Sequence, residues 1–148
     1  MTTPTPTAPS PQASGQRPTP AEQGKALLRR LIEEVINQGR LEVTDELFSP
    51  ELAAAAREGS AAFRAAFSDW HMEVVDLIAE DDKVVGRFRC SGTHTGPWLG
   101  NPPTGRRIEQ VDEVAILRVK DGRFVDYWKL EDTAGRLQQL DSNLPSSP

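Results

Sequence analysis

The sequence predicts an α+β fold in which N-terminal helices cover the concave face of a cone-shaped, curved antiparallel sheet. Apolar residues recur at helical spacing between residues 20 and 67. From Met72 the apolar period changes to two, which is typical of strands. Asp121-Gly122 lies between two such runs and favours a tight hairpin turn. Helices followed by strands indicate an α+β domain, and a curved sheet closed by helices usually encloses a small-molecule cavity.

Composition limits the compartment and the classes of partner. The 148 residues suit one domain, and a net charge of −5 disfavours nucleic acid, which needs clustered Lys and Arg. No apolar stretch reaches the roughly 20 residues of a membrane span, and the N-terminus lacks the apolar segment of a secretion signal. A single cysteine, Cys90, allows no disulfide within the chain, which fits a reducing compartment. We therefore expect a cytoplasmic protein without a nucleic-acid or membrane partner.

The two ends of the chain are predicted to lie outside the folded domain. Residues 1–18 are almost all Thr, Pro, Ser, Ala and Gln, a composition that buries too little apolar area to order, so we expect a disordered tail. A domain over 19–141 and a flexible tail over 142–148 complete the predicted organisation.

Helical elements are predicted in the first half of the domain. Thr19 and Glu22 form a capping box with Pro20 at the first helical position, and Gly39 ends this helix, which we place over 20–37. A short helix is predicted over 41–48. A third helix opens at Ser49-Pro50 and runs through the alanines 53–56. Gly59-Ser60 is predicted to interrupt it before a further short helix.

Strands are predicted in the second half, where apolar and polar residues alternate. The segment 132–140 is predicted to form either a last helical turn or a closing strand. The four predicted strands are Met72–Glu80, Lys83–Thr95, Ile108–Val119 and Arg123–Leu130.

Several ordered segments resemble the SnoaL-like polyketide cyclases, often called ester cyclases, of the nuclear transport factor 2-like superfamily. The resemblance covers residues 20–141. It implies a cone-shaped α+β homodimer with a deep apolar pocket, no cofactor, and acid/base closure of a ring in an aromatic polyketide ester. The segments are Asp45-Glu46-Leu47-Phe48-Ser49-Pro50, Gly92-Thr93-His94-Thr95-Gly96, Pro102-Pro103-Thr104-Gly105-Arg106, Lys120-Asp121-Gly122-Arg123, Trp128, Asp132 and Leu137-Gln138-Gln139-Leu140.

The resemblance also places the catalytic positions of the family. Lys129 stands where the family has a catalytic aspartate, Ala115 where it has a histidine, and Glu113 where it has a glutamine. We expect Glu113 and Lys129 to face each other across the hairpin, as either a proton-transferring pair or a structural ion pair. Either Asp126 or Tyr127 could replace the lost acid. The catalytic candidates are therefore Glu113, Lys129 and Asp126.

The resemblance and the residue types also predict which side chains line a pocket. Aromatic side chains supply apolar area with a polar tip, although Trp98 and Trp128 could equally fill the ends of the barrel. His94 could instead be a packed or capping residue, and Asp132 could cap the last segment. Two histidines without a nearby Cys or carboxylate cluster make a metal site improbable. The candidates are Trp70, His71, His94, Trp98, Tyr127, Trp128 and Asp132.

Alternation leaves open which sheet face lines the pocket. The more apolar face should turn to the helices, whereas the family positions indicate the other one; the face left uncovered should pack against a second subunit. One predicted face has Val84, Phe88, Cys90, Val114, Ile116, Phe124 and Trp128, and the other has Val85, Arg87, Arg89, Val111, Glu113, Ala115, Leu117 and Lys129.

Two functions fit the sequence. The first is a pocket for a small apolar or aromatic molecule with cofactor-independent acid/base cyclisation or isomerisation of an aromatic, polyketide-like ester. The second is a non-catalytic ligand-binding or dimerisation module on the same scaffold. Lys129, together with a segment between Phe48 and His71 that is shorter than the family pattern, favours the second.

Overall fold

A computed structural model of the chain describes residues 2–7 and 17–141. The predicted flexible tail at 142–148, and most of the predicted disordered tail, lie outside the described residues. Within the described part of the chain, no helix is long and apolar enough to cross a membrane.

The first helix begins as predicted. Helix α1 spans Pro20–Arg30 and continues as a π-helical segment, Leu31–Asn37. Its N-terminus is a capping box, in which Thr19 Oγ1 accepts from the backbone N–H of Glu22 at 3.2 Å and the Glu22 carboxylate accepts from the Thr19 N–H at 3.1 Å. The apolar side of this helix is buried against the sheet, as its periodicity indicates.

The predicted break at Gly59-Ser60 is wrong. A 3₁₀ turn, Leu41–Val43, leads into α2, Thr44–Leu47, and helix α3 then runs from Pro50 to Ala66 through Gly59 without interruption. One glycine costs a helix only about 1 kcal/mol relative to alanine. The alanines on both sides and the burial of one helix face outweigh that cost.

The second half forms one antiparallel sheet with strand order β1-β2-β3-β4. The closing segment is helix α4, Thr133–Leu140, which settles the alternative that the sequence left open. The strands are β1 His71–Glu80, β2 Lys83–Thr93, β3 Arg107–Lys120 and β4 Arg123–Glu131.

The register between β3 and β4 differs from the prediction that Glu113 faces Lys129. Glu113 is paired with Glu131, and Lys129 is paired with Ala115. The tight turn at Asp121-Gly122 pairs Lys120 with Arg123, and a bulge two residues later shifts the remaining pairs by one. The predicted partner of Glu113 is two residues away from the observed one. The turn is centred between Asp121 and Gly122 rather than on Asp121, which accounts for one residue, and the bulge, which leaves the composition pattern unchanged, accounts for the other.

The two predicted sheet faces each mix residues from both sides. Phe88 pairs with Glu113 and Val84 with Leu117, so these side chains share the concave face that turns toward the helices. Trp128 pairs with Ile116 on the opposite, convex face. Glu113, Ala115 and Lys129 therefore lie on the concave face together with the apolar positions of β2.

Candidate functional site

A cavity of about 310 Å³ lies between the helices and the concave face of the sheet. Helix α3 forms one wall, and the π-helical segment forms another. Most of the lining is apolar, as expected of a site for a small apolar molecule. The apolar side chains of the lining are Leu31, Val35, Ile36, Phe48, Leu52, Ala55, Ala56, Phe63, Trp70 and Met72.

Strands β3 and β4 contribute a polar group of side chains to the same cavity. Glu113 comes from β3, and Tyr127, Lys129 and Glu131 alternate along β4. They share one face because residues two apart in a strand point to the same side. Glu113 is 7% exposed, so its carboxylate is almost fully removed from bulk water.

A buried arginine bridges the two opposed carboxylates. Arg136 of α4 is fully buried and donates through Nη2 to Glu113 Oε2 at 2.9 Å and through Nη1 to Glu131 Oε2 at 2.8 Å. Its guanidinium carbon also lies 4.8 Å from the ring centroid of Trp70 and 5.6 Å from that of Phe63. Like charges directly opposite in a sheet repel, and a shared, hydrogen-bonded guanidinium offsets that repulsion.

Burial changes the acidity of the polar groups in the cavity. Loss of hydration raises the pKa of Glu113, and the Lys129 and Arg136 charges oppose that rise. Loss of hydration also raises the pKa of Tyr127, helped by the charges of Glu113 and Glu131. Tyr127 is 40% exposed, but it lines the cavity, where protein atoms surround its side chain. A poorly hydrated hydroxyl is consistent with that position. At neutral pH Tyr127 therefore remains an O–H donor.

Two further cations line the cavity. Lys129 forms an ion pair with Glu131. Arg64 of α3 donates through Nη1 to the backbone carbonyl of Ile36 at 2.9 Å and through Nη2 to that of Ser68 at 3.5 Å. Arg64 therefore fixes the end of α3 to the neighbouring segments.

Comparison with known proteins identifies the family. The family model of the SnoaL-like polyketide cyclases matches residues 26–140. The chain belongs to the SnoaL-like polyketide cyclase family. It is 32% identical over 114 residues to the aklanonic acid methyl ester cyclase of Streptomyces peucetius, covering 76% of each chain. It is 30% identical over 123 residues to the nogalonic acid methyl ester cyclase of Streptomyces nogalater, covering 74% of this chain and 91% of the relative.

A solved structure has the same fold. TsrD from Streptomyces laurentii superposes with a TM-score of 0.74 at 27% identity, over 80% of this chain and 94% of TsrD. Both the predicted family and the predicted α+β class of this SnoaL-like chain are thereby confirmed.

Four of the ten predicted site residues lie in the cavity of this family member. Glu113, Lys129, Trp70 and Tyr127 all line it. Trp70 is 3% exposed and makes an edge contact with Phe63 at 4.7 Å, so it is both core and cavity wall.

Two predicted site residues lie on the convex face, because the bulge in β4 turns them away from the helices. Asp126 is exposed and lies opposite Arg118 in the register of β3 and β4. Its carboxylate accepts from the backbone N–H of Tyr127 at 2.9 Å. Trp128 is 52% exposed. Neither lines the cavity.

The remaining four predicted residues lie outside the cavity lining. His94 is fully buried, stacks on Phe67 at 5.4 Å, and accepts through Nδ1 from the N–H of Thr104 at 3.2 Å, which leaves the proton on Nε2. Trp98 packs edge-on against Phe67. His71 lines a separate pocket, together with Asn37. Asp132 caps α4 by accepting from the Gly135 N–H at 2.8 Å, which was its predicted alternative role.

Two residues of the cluster were missed by the sequence reasoning. Glu131 could have been found, because it lies two positions after Lys129 in the same strand. Arg136 gives a weaker signal, its spacing of four from Leu140, which places both on the buried side of α4. A basic residue in a short terminal helix normally indicates a solvent-exposed position.

The residues that the structure describes offer no group of three His, Cys, Asp or Glu side chains that could hold a metal ion. Cys90 is buried on the concave face, and loss of hydration together with the Glu113 charge raises the pKa of its thiol to about 12. A thiol in that state is a packing residue rather than a nucleophile.

Proposed function

We propose that this protein is a cofactor-independent cyclase or isomerase that acts on an aromatic, polyketide-like ester held in the cavity. Membership of the SnoaL-like family and the two methyl ester cyclases among its relatives support this proposal. The apolar walls suit a flat ring system, and the single cluster of charged groups offers one place for proton transfer.

The buried carboxylate of Glu113 is the observation that carries the proposal. A carboxylate with a raised pKa is a stronger base than one in water and is suited to take a proton from carbon beside two carbonyl groups. Glu113 Oε2 is held by Arg136, so the carboxylate is fixed in position. Among the described residues Oε1 has no protein hydrogen-bond partner and remains for the substrate.

The proposed step is an intramolecular aldol closure. Glu113 removes a proton from the carbon next to the ester, the resulting enolate carbon forms a bond to a ketone carbon of the same molecule, and the ketone oxygen takes the proton back. No oxidant or second substrate is needed. The ammonium of Lys129 and the hydroxyl of Tyr127 line the same cavity and could stabilise the negative oxygen that develops.

Glu113→Gln tests this proposal. The amide keeps the volume and cannot act as the base, so we expect kcat with nogalonic or aklanonic acid methyl ester to fall about 10²–10⁴-fold. Glu109→Gln is the matched control, an exposed acid of the same strand, and should keep normal turnover. Unchanged turnover in a folded Glu113→Gln variant would contradict the assigned base.

A non-catalytic ligand-binding module is the second candidate function. One observation favours it: both cavity carboxylates are already held in ion pairs, Glu113 by Arg136 and Glu131 by Arg136 and Lys129. Saturable binding of either ester to the wild-type protein, with no product after prolonged incubation, would support this candidate over the cyclase.

We also propose that the protein is a homodimer through the convex face of the sheet. An apolar row crosses all four strands there, from Ile78 through Val85 and Ile116 to Trp128, and Leu130 lies in the next row. Exposed fractions of 63% for Ile78, 52% for Trp128 and 62% for Leu130 are large for apolar side chains of a monomer.

A further inference from the structure

We propose that Gly59 of helix α3 determines how large a fused-ring ester the cavity accepts. This inference rests on the proposed function, because it takes the ligand to be an aromatic ester whose reacting end lies at Glu113. It adds the residue that leaves room for the rings at the other end of that ligand.

Helix α3 turns one stripe of side chains toward the cavity. Residues three and four apart are neighbours on a helix surface, and all members of this stripe line the cavity. The stripe is bulky at its two ends and small in its middle, so the helix wall contains a notch. In chain order the stripe is Leu52, Ala55, Ala56, Gly59, Ser60 and Phe63.

The notch lies at the mouth of the cavity. Glu113 is 7% exposed and lies deep inside, whereas Ala55 and Gly59 of α3 are exposed members of the lining. Tyr127 and Lys129 of β4 are exposed members as well. The cavity therefore opens to solvent between α3 and β4, and a ligand that reaches Glu113 extends outward past Gly59.

The fold itself does not require glycine at position 59. Gly59 has helical backbone in the interior of α3, where glycine is less favourable than alanine. A Cβ built on Gly59 would have no atom of the described residues within 4 Å, whereas a Cβ on Gly96 would lie 2.1 Å from the carbonyl oxygen of Ala65. Close packing thus explains Gly96, while Gly59 leaves its space open to the cavity.

The deep end of the cavity points to a ligand independently of the notch. The Glu113 carboxylate is almost fully buried and accepts from Arg136 through Oε2. Its Oε1 has no protein hydrogen-bond partner within the part of the chain that the structure describes. Buried polar atoms normally have a partner, so this oxygen favours a bound molecule, and the side chain at position 59 sets the space left for the rest of it.

Two methyl esters of different size test the inference on the full-length protein. The probes are methyl 2-naphthoate, with two fused rings, and methyl anthraquinone-2-carboxylate, with three. Their binding is measured as quenching of tryptophan fluorescence, because Trp70 is part of the cavity wall. In Gly59→Leu we expect the affinity for the three-ring ester to fall on the order of 10-fold, while that for the two-ring ester stays within about 2-fold of wild type.

Ala54→Leu is the matched control, because Ala54 is an exposed residue of the same helix outside the cavity lining. It should leave the affinity for both esters unchanged. Gly59→Leu should also melt at a higher temperature than the wild type, since leucine favours a helix more than glycine does. A gain in stability together with a loss of binding distinguishes an obstructed notch from a damaged fold.

The possible results separate the inference from the proposed function. Equal losses for the two esters in Gly59→Leu, no loss for either, or a lower melting temperature would overturn the inference and leave the proposed enzyme intact, because the role of Glu113 is tested by turnover. Failure of both esters to bind the wild type would contradict the inference and the aromatic ligand of the proposed function together.

Discussion

Glu113 and Glu131 stand directly opposite each other on neighbouring strands, an arrangement that sheets normally avoid. Arg136 makes the arrangement possible by donating to both carboxylates from behind. Burial removes water from the Glu113 carboxylate, and this loss of hydration raises its pKa. A carboxylate that the fold holds at such a cost is a candidate for proton transfer.

The raised pKa of Glu113 predicts how stability depends on pH. The folded protein holds the Glu113 proton more tightly than the unfolded chain, in which the carboxyl has its ordinary pKa of 4.5. Glu113 therefore makes its full contribution to stability below pH 4.5, and that contribution is lost as the pH rises through the raised pKa. In Glu113→Gln this loss should be absent. The free energy of unfolding measured with urea should therefore depend less on pH, across the acidic to neutral range, than it does in the wild type. Identical slopes for the two proteins would contradict the raised pKa.

At the scale of elements, α4 has a structural role that its length does not suggest. It has eight residues, yet it places Arg136 under Trp70 and between the two carboxylates. The Asp132 cap and the buried Leu140 fix its two ends. The last helix thereby holds the cavity carboxylates in place from outside the lining.

Removal of the Arg136 guanidinium should destabilise the fold strongly. Arg136→Met keeps much of the side-chain volume but leaves Glu113 and Glu131 facing each other without the buried cation. Breaking a buried ion pair typically costs about 3–5 kcal/mol, and we expect a loss of that size in the free energy of unfolding measured with urea. Arg123→Met, at an exposed position at the start of β4, is the control and should change it by less than about 0.5 kcal/mol. A similarly small effect of Arg136→Met would show that the network contributes little.

The elements themselves were largely predictable from the sequence, and the site was not. Apolar periodicity and the capping box gave α1, and alternation gave the four strands, because these signals are local. The partner of Glu113 was predicted two residues away from Glu131, because the turn is centred between Asp121 and Gly122 and because the bulge after Phe124 is not visible in composition. The continuous α3 was missed because a local signal at Gly59 was weighed without the burial of the helix face.

At the scale of the whole molecule, the two faces of the sheet have different tasks. The concave face carries the cavity and its charges, and the convex face carries the apolar row that includes Ile116 and Trp128. Sequence alternation alone could not assign the faces, because both faces of the strands contain apolar residues. In addition, the bulge moves the residues of β4 that follow it to the opposite face of the sheet.

The apolar row predicts association through the convex face. Light scattering during size-exclusion chromatography should give the mass of a dimer for the wild type at micromolar concentration. Trp128→Lys should yield a monomer, because a lysine in this apolar row would have to be buried in the interface without a partner. Lys120→Met, at an exposed position away from the row, is the control. A monomeric wild type would contradict the proposed interface.

The central claim is that an apolar hollow between helices and sheet holds an aromatic substrate against the carboxylate of Glu113. A crystal structure of the protein with nogalonic acid methyl ester tests it most directly. We predict the ring system between α3 and the concave face, with a ligand atom within hydrogen-bonding distance of Glu113 Oε1. A ligand bound elsewhere on the molecule, or a hollow filled by side chains with Glu113 turned to bulk water, would contradict it.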